Sequence, residues 1–122
     1  MSTKMKLIVI VIITIIFTVL LFCRFHKSTF PADAIHCYNK LVSDDEISFD
    51  CTMITSYDLY ADHSIRYKDQ SAYIMVYCYT VPIFNKGRNG MFHIAIDRTK
   101  HDVKKVYFID NKNRTEELEL DL

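Results

Sequence analysis

The chain has 122 residues, half of them hydrophobic and a quarter charged, with 15 basic and 15 acidic side chains. That length allows one domain, or a small domain plus an appendage, and argues against two full domains. Zero formal net charge removes the basic footprint of a nucleic-acid binder, and two glycines in all leave no phosphate-cradling loop.

The apolar residues crowd at the start. From Leu7 to Cys23, seventeen consecutive residues carry no charge, and only Thr14 and Thr18 are polar. As a helix this run measures about 25 Å. That is slightly short of a ~30 Å hydrocarbon core, but Lys6 and Arg24 can snorkel to the headgroups. No small-xxx-small seam marks a packed helix pair. A cleaved signal peptide is the rival reading. Against it, the run exceeds the usual ~7–15 apolar residues, and Arg24-Phe25-His26-Lys27 follows instead of a small-residue cleavage site. The expected layout is a cytoplasmic N-terminus (1–6), an uncleaved transmembrane helix (7–23), a juxtamembrane linker (24–34), an extracytoplasmic β domain (35–110) and an acidic tail (111–122). Lys4, Lys6 and the free amine set a slight positive-inside bias. Three of the four cysteines lie beyond the span, which suits an oxidising compartment such as the periplasm.

From Ile35 the period becomes two. "IHCYNKLV" (35–42) puts Ile35, Cys37 and Leu41 on one face, and "ISFDCTMIT" (47–55) puts Ile47, Phe49, Cys51 and Met53 on one face. Joined as a hairpin around Ser43, Asp44 and Asp45, like faces pair Leu41 with Ile47, Asn39 with Phe49, Cys37 with Cys51 and Ile35 with Met53. Directly opposed residues lie roughly 4.5–5.5 Å apart, within disulfide range, so Cys37–Cys51 is the expected bridge. Cys37–Cys78 and Cys51–Cys78 stay open as alternatives. Cys23, at the membrane boundary, is a small apolar residue or an S-acylation site.

Downstream, Ser64–Tyr67 reads as a short strand and 71–84 as a dense central strand, with Pro82 near its end. An Asn-Gly turn follows within 85–90, then strands at 91–97 and 103–110. The domain is thus expected to be mainly β, a small antiparallel sheet or barrel-like meander of about five strands. Tyr73, Tyr77 and Tyr79 share one face of the central strand. They read either as a sheet face packed on the core with hydroxyls at its rim, or as an aromatic contact surface.

Catalytic and metal signals are missing. The five histidines have no ligand spacing, no C-x-x-C occurs, and no G-x-S-x-G elbow marks a nucleophile. The expectation is a non-enzyme without cofactor. Asn113-Arg114-Thr115 is a glycan acceptor only in a eukaryotic secretory pathway.

The layout resembles the FidL-like inner-membrane proteins and, more distantly, ToxS-type partners of membrane-bound regulators. The resemblance lies in the "MSTKMK" lead, the "LIVIVIITIIFTVLLF" span, the basic "RFHK" exit and the cysteine-bearing "IHCYNKLVSDDEISFDC" segment. It implies an accessory protein, anchored in the inner membrane, whose periplasmic domain binds and stabilises a ToxR-like transcription regulator. A periplasmic immunity or inhibitor protein acting on a toxin, or a small viral envelope protein, are the competing functions.

Overall fold

In the computed structural model of the chain, which describes residues 2–54, 59–79 and 90–120 and only the backbone of Arg24 and Phe25, the apolar run forms one helix, α1 (Thr3–Phe25). Its 23 residues give about 35 Å at 1.5 Å per residue, so it is long and apolar enough to cross a bilayer. Ser2 caps it by accepting a hydrogen bond from the Met5 N–H at 3.2 Å. The hydroxyls of Thr14 and Thr18 donate to the carbonyls of Ile10 and Thr14 at 2.8 and 2.9 Å. Back-bonding of this kind satisfies each hydroxyl within the helix itself.

One residue past the helix the chain enters a sheet. β1 (Lys27–Thr29) is followed by a single 3-10 turn at Ala32–Ala34. The segment expected as a linker is therefore built into the domain, with Phe30 and Ala32 buried. Then come β2 (Ile35–Val42), β3 (Glu46–Met53), β4 (Tyr60–Lys68), β5 (Ser71–Tyr79), β6 (Met91–Asp97), β7 (Lys105–Ile109) and β8 (Thr115–Leu118).

The fold is mainly β with one N-terminal helix, as the hydrophobic pattern indicates, but its strands form two open sheets rather than one meander. The smaller sheet has the order β2-β3-β6, all antiparallel. In the larger one, β5 is central. β4 runs along one of its edges, while β7 and β1 share the other, β7 against Ser71–Met75 and β1 against Tyr77–Tyr79. β8 flanks β7. The β5–β7 pairing is parallel, because β6 crosses to the smaller sheet and pairs with β3 before the chain returns as β7.

The inner faces meet in one core. Ile47, Phe49, Cys51, Phe92, Ile94 and Ile96 come from the smaller sheet, and Ala72, Ile74, Val76, Val106 and Phe108 from the larger. Phe49 and Phe108 touch edge to face at 6.1 Å between centroids, the arrangement aromatic quadrupoles favour. The alternation in "EISFDCTM" and "MFHIAID" is realised residue for residue.

The β2–β3 hairpin departs from its expected register at one end. Ile35 faces Met53 and Cys37 faces Cys51, but a bulge after Tyr38 shifts the rest, so Leu41 pairs with Ser48 and Val42 with Ile47. Leu41 is consequently left 70% exposed. The Ser43 N–H donates to the Glu46 carbonyl at 2.9 Å, leaving Asp44 and Asp45 as a two-residue tip. The left-handed residue that a three-residue loop needs is instead Asn39, at φ 53° inside the strand. Pro82 and most of the expected Asn-Gly turn lie outside the described residues.

Candidate functional site

Odd-numbered residues of β5 point away from the core. Tyr73, Met75 and Tyr77 are half-buried on that outer face, and register places each in a row across the sheet. Arg66, Tyr73, Tyr107 and Glu117 form one row; Ser64, Met75, Ile109 and Thr115 form the next; Asp62, Tyr77 and Thr29 form the third. The rings of Tyr73 and Tyr107 stack with centroids 5.3 Å apart, and the Arg66 guanidinium lies 5.9 Å from the Tyr73 centroid. The Tyr77 hydroxyl contacts the Ser64 hydroxyl at 3.3 Å and the Met75 sulfur at 3.4 Å. The result is a flat aromatic patch with a cation on one side and a carboxylate on the other.

All three tyrosines expected on this surface share its side of the strand, but only Tyr73 and Tyr77 are half-open on it. Tyr79 is only 8% exposed. Lys27 pairs with it on one strand edge, and its N–H donates to the Leu59 carbonyl at 3.1 Å on the other, so the strand is closed in on both sides at this end. Tyr107 and Ile109 take its place. Burial of Val106 and Phe108 on the opposite face could have indicated Tyr107 as outward; its position beside Tyr73 depends on a parallel register that period-two patterning does not encode.

Cys37 and Cys51 stand sulfur to sulfur at 3.4 Å as two thiols. Local backbone geometry explains the approach. The Ile54 N–H donates to the Ala34 carbonyl across β2–β3, whereas the Met53 N–H donates to the Gly90 carbonyl on the β6 side. Amides alternate along a strand, so the Cys51 N–H also points toward β6. The pair is therefore non-hydrogen-bonded, the type in which opposed side chains come closest. Contact with Cys51 and the charge of Lys40 hold the Cys37 thiol below its ordinary range against the opposing effect of burial, while the Cys37 contact and burial push Cys51 up. Cys78 lies apart from this contact, its thiol donating to the Ser28 carbonyl at 3.6 Å.

A buried carboxylate escaped the pattern reading. Asp110, 5% exposed, accepts hydrogen bonds from the Ala32 N–H at 3.0 Å, from the Lys112 and Arg114 N–H groups at 2.9 and 3.2 Å, and from the Arg114 guanidinium at 2.9 Å. These donors, the Ala32 amide foremost, hold its pKa at about 2. It fastens the turn after β1 to the β7–β8 loop.

Three of the histidines contact a neighbouring side chain. His93 bonds Asp50 at 2.8 Å, His63 bonds the Tyr60 hydroxyl at 2.6 Å, and His101 stacks on Tyr67. Among the described residues, no group of three or more His, Cys, Asp or Glu is placed to hold a metal ion. No known family, no curated protein and no solved structure matches the chain.

Proposed function

We propose that this chain is a single-pass, membrane-anchored accessory protein whose extracytoplasmic β domain binds a second membrane protein, with no catalytic activity of its own. The observation that carries this reading is the aromatic outer face of the five-stranded sheet. Tyrosine and methionine at the centre of a patch, with charged residues at its rim, is the composition of a protein interface. Its third row includes Thr29, four residues beyond the end of α1. At about 3.3 Å per residue, that row lies within reach of the bilayer surface, so the partner is itself tethered there. The helix crosses the inner membrane with its N-terminus in the cytoplasm, so that the domain lies in the periplasm. There Cys37 and Cys51 close a disulfide. By the resemblance noted above, the sensory domain of a ToxR-like regulator is the first partner to examine.

A photo-crosslinking residue at Tyr107, compared with one at Ser48 on the other outer face, tests this in intact membranes. A discrete adduct with a membrane protein at Tyr107 alone is expected. Equal adducts at both positions, or none at Tyr107, would overturn the reading, and capture of a soluble toxin would replace it with the inhibitor function.

A further inference from the structure

We propose that Cys37 and Cys51 form a thiol–disulfide exchange site, in which Cys37 receives an incoming disulfide and Cys51 resolves the mixed disulfide. The proposal rests on the disulfide proposed above and adds to it the order of reaction and the partner chemistry.

The two sulfurs differ in access. Cys51 lies on the central strand of its sheet and is 0% exposed. Cys37 lies on β2, an edge strand, and is half-buried. It lines a cleft of about 330 Å³ that opens between β2 and β8, with His36, Lys40, Phe108 and Glu117 also in its wall. An incoming sulfur can therefore reach Cys37 from solvent, whereas Cys51 is reached only through Cys37. Electrostatics favours the same order. The thiolate is the attacking species, and both the Cys51 contact and Lys40 favour charge on Cys37.

The oxidant is a disulfide, either of a dithiol oxidoreductase or of a small thiol such as glutathione. The Cys37 thiolate attacks one of its sulfurs; the S–S bond breaks and the electron pair leaves on the other sulfur. Cys51 then attacks the Cys37 sulfur as its proton passes to the departing sulfur, which leaves as a thiol. In total, two protein thiols lose two electrons and two protons, and the oxidant's disulfide gains them as two thiols.

The test uses the full-length protein in detergent with Cys23→Ser and Cys78→Ser, exposed to oxidised glutathione and read by intact mass. The parent should lose both alkylatable thiols with at most a transient adduct. Cys51→Ser should accumulate one stable glutathione on Cys37, and Cys37→Ser should react on the order of tenfold or more slowly, since its remaining thiol is reached only by local opening. Should Cys37→Ser not fold by circular dichroism, limiting maleimide on the reduced parent gives the same order by peptide mass, Cys37 before Cys51. Equal rates at the two sulfurs, or a parent that keeps both thiols, would refute the site. Crosslinking at Tyr107 does not involve these thiols, so failure of either proposal is recognisable on its own.

Discussion

On the outer face of the three-stranded sheet, Asp50 meets His93 at 2.8 Å and Asn39 at 3.1 Å, among Ser48, Thr52 and Ala95. On the outer face of the five-stranded sheet, Tyr73 lies flat against Tyr107, with Met75 and Ile109 in the next row. Both faces are the reverse side of the same kind of strand, with alternate residues buried against a shared core. The first has polar groups that satisfy one another and stand well in water. The second keeps apolar ring area at its centre, with charged residues such as Arg66 and Glu117 only at its rim, a combination suited to a surface that is covered part of the time. The difference cannot come from the core, which both sheets share, so it reports on what lies outside.

The comparison can be broken most severely from within. Phe49→Ala removes a fully buried ring that spans the two sheets, and should cost about 3–5 kcal/mol in urea unfolding, disabling both faces together. Tyr107→Glu acts on one face only. It should weaken partner capture roughly 30-fold or more, the scale of an interface hot spot, while the circular dichroism melt keeps its cooperative shape.

Asp110→Asn comes next, because it leaves four donors without their anion; its melting temperature should fall well below that of any substitution on the polar face. Acid should do the same to the parent. The folded-state pKa of Asp110, about 2, is below the unfolded value near 3.9. Its contribution is therefore complete above about pH 4 and is lost as pH falls toward 2. A melt series over that window should show a slope that Asp110→Asn flattens. The smallest effect belongs to Ser48→Lys. It should change stability by less than about 0.5 kcal/mol and leave capture unchanged; a loss of capture there would end the distinction between the faces.

Strand content was legible wherever alternation was strict, as in "ISFDCTM" and "MFHIAID", and the Cys37–Cys51 pairing followed from matching apolar faces. Three things were not. Lys27-Ser28-Thr29 carries no hydrophobic period, so its pairing with β5 is dictated by the partner. Leu41 looked inward until the bulge at Asn39 turned the strand over. Asp110 belongs to the core through hydrogen bonds alone, and hydrophobic patterning is blind to a carboxylate satisfied by backbone amides. Of the candidate surface, Tyr73 and Tyr77 could be read from one strand, whereas Tyr107 needed the neighbour relation between two strands 34 positions apart in register.

The clamp between Ala32 and Asp110 joins residues 78 positions apart, and β1 is held by a strand roughly fifty residues later. Such long-range closure slows folding, and here it also sets a schedule. The first piece of the domain to be synthesised has no partner until β5 exists, and its turn stays unfastened until the loop before β8 has emerged. Helix α1 is complete long before that, so during biosynthesis the apolar helix precedes the fold it carries, and a chain stopped short of residue 110 would leave that helix trailing an unclosed domain.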